Sequence, residues 1–162
     1  MEVVFSDLDG TLVNSESERI KTYYLALDAC GINNYKKPQI EELIGNSERD
    51  NLSIISPGLR DEDFKKVIQV RKKYLNKIKL ENICVNHKVL EAISHYRKII
   101  IVTNSSYDYA KRICLNLLRI SCEIVSLKDN LPAKPDPYLY LLAFKKFCND
   151  NKKIVYEDSN AG

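Results

Sequence analysis

The stretch VVFSDLDGT, residues Val3 to Thr11, decides how this chain is interpreted. Its apolar first half is typical of a buried parallel strand. Because side chains alternate along a strand, Asp7 and Asp9 are expected to project together from its carboxyl end, where open α/β sheets bind ligands. Two carboxylates that close repel each other unless a cation lies between them. The stretch is also consistent with a strand that ends in an ordinary Asp-Gly turn, so by itself it leaves both interpretations open.

Three later segments favour the first interpretation. A second apolar run ends in Thr103 and Asn104, which place hydroxyl and amide groups at a strand end. Lys134 stands just before a proline-containing helix start, and a short apolar run near the end leads into Glu157 and Asp158. Each segment alone has an ordinary structural explanation. Together, and in this order, the first stretch and these three segments supply a nucleophile, an oxyanion binder, a cation and metal-binding carboxylates.

These residue types suit the chemistry of a phosphate ester, whose transfer needs charge neutralisation and positioning more than a strong base. Asp7 can attack the phosphorus if a divalent cation screens the repulsion. Asp9 can protonate the leaving alkoxide and then activate a water. Lys134 and the hydroxyl of Thr103 are suited to hold the phosphoryl oxygens. Oxygen ligands and phosphoryl chemistry favour Mg²⁺ over softer metals.

The four segments resemble the motifs of the haloacid dehalogenase-like (HAD) superfamily of phosphohydrolases, in the order of that family. Its Asp-x-Asp-Gly-Thr motif is matched by residues 7–11, its second-motif hydroxyl by Thr103, its third-motif lysine by Lys134 and its acidic fourth motif by residues 157–158. The Lys-Pro-x-Pro and Glu-Asp-Ser-x-x-Gly segments are similar to the subgroup that includes β-phosphoglucomutase and phosphoglycolate phosphatase.

The resemblance implies a role for each matched residue. The catalytic residues are expected to be Asp7 and Asp9. The phosphate-binding residues are expected to be Thr103, Asn104 and Lys134. The metal ligands are expected to be Asp7, the backbone carbonyl of Asp9, and Asp158, with Glu157 as a helper.

The pattern along the chain predicts two regions. Alternating strands and helices over 1–13 and 81–162 predict an α/β core with a Rossmann-like parallel sheet, and 14–80 is predicted to be helical only. The resemblance implies that this insert is an α-helical cap after the first strand, a lid that excludes water. The predicted strands are 2–7, 98–103, 122–127 and 153–157, and the predicted core helices are 86–96, 106–118 and 136–148.

Within the predicted cap, residues 45–52 resemble the specificity loop of the family. Arg49 is the candidate for substrate specificity. In mutases of this type the phosphate-reading arginine lies about one position earlier by our alignment. Arg49 is alternatively expected to pair with Glu48 or Asp50. The presence of Asp9 argues against a true dehalogenase, which lacks an acid there and needs no metal.

Composition excludes several other classes of protein. The net charge of +3, from 25 basic and 22 acidic residues, is not a nucleic-acid signature. We expect no membrane-spanning run and no signal peptide. Five cysteines without a C-x-x-C spacing favour reduced thiols in the cytoplasm. Neither nucleic acid nor a membrane is therefore an expected partner, whereas the motifs and the resemblance imply a small phosphorylated substrate.

The sequence thus predicts a cytoplasmic, Mg²⁺-dependent HAD-type phosphatase of a small phosphorylated metabolite that acts through an aspartyl-phosphate. One alternative is a sugar phosphomutase of the β-phosphoglucomutase type, and another is a truncated, catalytically silent protein. The family continues after this Ser-x-x-Gly with a helix and a strand, which are expected to be missing from this chain. Strand 153–157 is then expected to be an open edge, through which the chain can self-associate.

Overall fold

The computed structural model describes residues 2–44, 46–128 and 131–148, together with the backbone of 154–157. The chain divides into two compact units, one formed by Met1–Asn14 with Ile83–Gly162 and the other by Ser15–Asn82. The assignment of these units as catalytic core and cap stays a prediction.

Strands and helices alternate over the first unit, and helices fill the second. In chain order, the strands are β1 (Val3–Ser6), β2 (Val13–Asn14), β3 (Cys84–Val85), β4 (Lys98–Thr103), β5 (Glu123–Ser126) and β6 (Ile154–Glu157). The α-helices are α1 (Glu16–Ala29), α2 (Glu48–Ile55), α3 (Asp61–Leu75), α4 (His87–Ser94), α5 (Tyr107–Arg112) and α6 (Tyr138–Phe147). Short 3₁₀ turns occupy Ile40–Glu42 and Leu80–Asn82, and a π-helical segment, Ile113–Leu118, continues α5.

The first unit is built on a four-stranded parallel sheet in the order β5-β4-β1-β6. The two central strands are almost entirely buried, which explains why their sequences are continuous apolar runs. The predicted α/β fold with a parallel sheet is confirmed. Among the described strands β6 lies at one edge of this sheet, and self-association through that edge stays a prediction. A two-residue ribbon of β2 and β3, which the sequence pattern did not predict, is the second sheet.

The register of the strands brings the predicted site segments together at the carboxyl-terminal edge of the sheet, which is where the parallel strands end. Ser6, the last residue of β1, lies opposite Ile101 of β4 and Glu157 of β6. Because these strands are parallel, their carboxyl ends meet at the same edge. Asp7 follows β1 directly, and Thr103 is the last residue of β4, so both lie at this edge.

One face of the sheet packs against α6, which fixes the strands relative to each other. Burying an aliphatic or aromatic side chain in such a layer contributes roughly 1.5–3 kcal/mol. The cluster consists of Val3, Phe5, Ile100, Val102, Val125, Leu139, Ala143 and Cys148.

The second unit is helical, and α1 and α3 form its main contact. Its core includes a buried arginine, Arg71, whose guanidinium stacks 3.7 Å from the ring centroid of Tyr23 and forms an ion pair with Glu48. Burial lowers the pKa of Arg71, against the opposing effect of Tyr23 and Glu48. The apolar part of this core consists of Ile20, Tyr23, Ala26, Leu27, Leu43, Leu52, Ile55 and Val67.

The stretch 45–52, which resembles the specificity loop of the family, is helical from Glu48 onward, where α2 begins, and its role in specificity stays a prediction. Ser47 is the N-cap of this helix, and its hydroxyl accepts a hydrogen bond from the backbone N–H of Asp50 at 3.2 Å. Within the described ranges, no helix is long and apolar enough to cross a membrane.

Candidate active site

A tight turn holds the two leading aspartates in place. The carbonyl oxygen of Leu8 accepts hydrogen bonds from the N–H groups of Leu12 and Val13, both at 3.0 Å. Gly10 lies within the turn that these hydrogen bonds close, and it has φ of 87°, a conformation that glycine adopts without strain. Because Leu8 and Leu12 are fully buried, the turn is anchored to the core. The polar segment after β1 is therefore built on a rigid support.

Asp7 forms a nearly buried ion pair with Lys134. The Lys134 Nζ lies 2.5 Å from the Asp7 Oδ1, and only 12% and 6% of the two side chains are exposed. The same ammonium donates to the carbonyl oxygen of Val102 at 3.1 Å and lies 5.6 Å from the ring centroid of Tyr140. A charged hydrogen bond in such surroundings is strong and directional. The structure thus brings two of the predicted site residues into direct contact, although they are 127 positions apart.

Asn104 links the end of β4 to the segment that carries Lys134. Its Nδ2 donates to the carbonyl oxygen of Lys134 at 3.1 Å, and its Oδ1 accepts from the backbone N–H of Lys134 at 2.8 Å. Thr103 is buried, and its Oγ1 accepts the N–H of Ser105 at 3.0 Å. The side chain of Asn104 therefore positions the lysine segment, a role that the sequence did not reveal. Phosphate binding by Thr103 and Asn104 stays a prediction.

The Asp9 carboxylate accepts hydrogen bonds from two hydroxyl groups. Ser105 Oγ lies 2.7 Å from its Oδ2, and the Tyr109 hydroxyl lies 2.9 Å from its Oδ1. Neither partner is predicted by the sequence pattern. One weak indication of these partners is present in the sequence. The helix that begins after Ser106 follows the strand that ends at Thr103, a predicted site residue, so its first turn lies near the site.

The predicted metal site is only partly contained in the described residues, and it stays a prediction. Asp7 would contribute a carboxylate and Asp9 a backbone carbonyl, and oxygen ligands of this kind fit Mg²⁺. In the part of the chain that the structure describes, no group of three or more His, Cys, Asp or Glu residues could hold a metal ion. The third predicted ligand, Asp158, lies outside the described residues. Glu157 ends β6, and its side chain also lies outside them.

Arg49 belongs to the second unit and is exposed. Its Nη1 lies 3.0 Å from the Asp61 Oδ1, and its guanidinium lies 4.3 Å from the ring centroid of Phe64. The predicted pairing with Glu48 or Asp50 is therefore wrong, since Asp61 is the acidic partner. Neighbouring residues of a helix do not face each other, whereas Arg49 and Asp61 lie in the first turns of two successive helices.

The parallel sheet and its flanking helices agree with the resemblance to the HAD family, and so does comparison with known families. Residues 3–162 match the family model described as haloacid dehalogenase-like hydrolase. The chain belongs to this family, and the predicted membership and hydrolase class are confirmed. A comparison with curated protein sequences gives no significant match.

Solved structures share the fold at low sequence identity. A predicted phosphoglycolate phosphatase from Haemophilus somnus matches with a TM-score of 0.75 and 22% identity, over 96% of this chain and 76% of that one. A hydrolase from Pseudomonas syringae matches with a TM-score of 0.70 and 24% identity, over 96% and 75%. CbbY from Rhodobacter sphaeroides, in complex with phosphate, matches with a TM-score of 0.72 and 15% identity, over 96% and 76%.

Proposed function

We propose that this protein is a Mg²⁺-dependent phosphohydrolase that acts on a small phosphorylated metabolite through an aspartyl-phosphate on Asp7. The observation that carries the proposal is the nearly buried Asp7–Lys134 ion pair at the carboxyl edge of the sheet. A buried carboxylate held as an anion by an ammonium is a suitable nucleophile for phosphorus. The same ammonium can stabilise the charge of the transferring phosphoryl group.

The reaction proceeds in two steps that use Asp7 and Asp9 in turn. In the first step, an oxygen of Asp7 attacks the phosphorus, the ester P–O bond breaks, and Asp9 gives a proton to the leaving alkoxide. In the second step, Asp9 takes a proton from a water molecule, which attacks the aspartyl-phosphate and releases inorganic phosphate. Lys134 holds the phosphoryl oxygens, and the Thr103 hydroxyl, which accepts from Ser105, can still donate its own proton to one of them.

Asp7, the backbone carbonyl of Asp9 and Asp158 would hold Mg²⁺, with Glu157 as a helper. When bound, the ion supplies positive charge that lets a carboxylate approach an anionic phosphate. The described donors are oxygen atoms, which supports this assignment. The substrate class is supported by fold neighbours, because one of them is named a predicted phosphoglycolate phosphatase and another is in complex with phosphate.

We expect phosphate release from at least one member of a panel of sugar phosphates and short phospho-acids in the presence of Mg²⁺. EDTA should abolish this release, because without a divalent cation the anionic nucleophile and the anionic substrate repel each other. Added Mg²⁺ should restore it. A colorimetric phosphate assay is the measurement. Full activity in EDTA would contradict the metal dependence. Isomer conversion that needs a bisphosphate activator and releases little phosphate would favour a phosphomutase instead.

Arg49 is the proposed specificity residue of the second unit. Arg49→Ala should change the ranking of substrates in the panel while hydrolysis of p-nitrophenyl phosphate stays within about threefold, since Arg49 is exposed and its pair with Asp61 contributes little to stability. Arg60→Ala is a matched control, because Arg60 is an exposed arginine of the same unit that pairs with Asp63 at 2.8 Å. An equal loss of activity on every substrate would assign Arg49 to folding or closure.

The cytoplasm is the proposed location. All five cysteines are free thiols, and Cys84 is exposed, as is usual in a reducing compartment. The proposed partner is the phosphorylated substrate itself.

A further inference from the structure

The Asp9 carboxylate is held at both of its oxygens. Ser105 donates to one of them at 2.7 Å, and Tyr109 donates to the other at 2.9 Å. Hydrogen bonds to an ionised acceptor are roughly twice as strong as bonds between neutral groups. Two such bonds from different directions favour one orientation of the carboxylate over the other rotamers of an aspartate.

Both hydroxyl groups are themselves held in place. The Tyr109 side chain belongs to α5 and is only 2% exposed, so the core fixes the direction of its ring. The backbone N–H of Tyr109 donates to the N-cap hydroxyl of Ser106 at 3.4 Å. Ser105 lies in the turn before this helix, and its N–H is bound by Thr103. The donors are therefore attached to the strand end that carries a predicted phosphate-binding residue.

We infer that Tyr109 and Ser105 are positioning residues that orient Asp9 for its two proton transfers. The inference rests on the proposed function, in which Asp9 is first an acid and then a base. Proton transfer needs the carboxylate within hydrogen-bond reach of the leaving oxygen or the water. A misplacement of about 1 Å can lower a rate by about 10²-fold. Loss of a positioning hydroxyl should therefore impair Asp9 and spare the attack of Asp7.

The leaving group separates these two effects. A p-nitrophenolate leaves without being protonated, whereas the alkoxide of glycerol 1-phosphate needs a proton from Asp9. For Tyr109→Phe, which keeps the buried ring, we expect the p-nitrophenol burst of the first turnover to stay within about threefold of the unmodified enzyme. Its later steady-state rate should fall roughly tenfold or more, because dephosphorylation needs Asp9 as a base. Formation of the phosphoenzyme from glycerol 1-phosphate should fall by a similar factor. Rapid-quench kinetics measure all three rates.

Two further variants make the test specific. Tyr107→Phe removes a hydroxyl from the same helix, but that side chain is exposed, so all three rates should match those of the unmodified enzyme. Ser105→Ala should reproduce the pattern of Tyr109→Phe, and Ser105→Thr should restore the rates because it keeps a hydroxyl at that position. A merely structural role would lower the burst and the steady-state rate together.

Each outcome decides the inference. Unchanged kinetics in both Tyr109→Phe and Ser105→Ala, or an equal loss in burst and turnover, would overturn it. If the unmodified enzyme forms no phosphoenzyme, the proposed function fails and this inference fails with it. If the unmodified enzyme shows a burst and Asp9→Asn stalls after the first turnover while Tyr109→Phe turns over normally, only the positioning role is wrong.

Discussion

Asp7→Asn is expected to lower phosphate release by at least about 10⁴-fold, the scale of loss when a covalent nucleophile is removed. The amide is close in size to the carboxylate, but it carries no charge and its nitrogen is a poor nucleophile. The variant also leaves the ammonium of Lys134 without its carboxylate partner at 2.5 Å. Phosphate release and intact mass after brief exposure to substrate are the measurements. The unmodified enzyme should show a phosphoryl adduct, and the variant should show none.

Asp108→Asn is the matched control for this prediction. Asp108 is an exposed carboxylate in the first turn of α5, in the same unit as Asp7. The Asp108→Asn substitution changes the same functional group but leaves the Asp7–Lys134 ion pair intact. The rate of phosphate release by this variant should therefore stay close to that of the unmodified enzyme. Phosphate release by Asp7→Asn within about tenfold of the unmodified enzyme, with no adduct in either protein, would contradict covalent catalysis by Asp7.

The sheet could be predicted because its two central strands are continuous apolar runs. Strand β4 has the predicted bounds, Lys98–Thr103, since a run of β-branched residues buried on both faces has few alternatives. Because the strands are parallel, Asp7 and Thr103 can be placed together at the carboxyl-terminal edge of the sheet from the strand positions alone. The ends of helices were less predictable. The helix predicted over 106–118 is α-helical only to Arg112. A π-helical segment continues it to Leu118, and Arg119, with φ of 54°, is the C-cap.

The contacts within the site could not be predicted for a different reason. The bond from Tyr109 to Asp9 joins residues 100 positions apart, and it depends on the direction of α5 and on a side-chain rotamer. The reciprocal bonds between Asn104 and Lys134 depend in the same way on how two loops meet. Local patterns carry no information about such distances. Helix α2 could not be predicted because it is short and its first turn is polar, a composition that also suits loops.

Lys134→Met is expected to be the most destabilising change at the site, with a loss of about 3 kcal/mol in the free energy of unfolding when measured in EDTA. The methionine fills much of the space of the lysine stem, but it removes the ammonium that faces the nearly buried carboxylate of Asp7. Phosphate release should fall by about 10²-fold or more, since the phosphoryl oxygens lose their cation. Urea denaturation and the phosphate assay measure the two effects.

A double-mutant cycle shows whether the stability effect comes from the ion pair. Asp7→Asn combined with Lys134→Met also removes the nearly buried negative charge, so the double variant should be more stable than Lys134→Met alone, with a coupling of about 2 kcal/mol. Lys79→Met is the control for an exposed pair, because Lys79 and Glu81 are 4.0 Å apart with both side chains about three-quarters exposed. Its effect should lie within about 1 kcal/mol. If the two single losses at Asp7 and Lys134 simply add, the pair is not coupled and the lysine acts on the substrate alone. A positive coupling, together with inactivity of the more stable double variant, would separate the structural contribution of the pair from its chemistry.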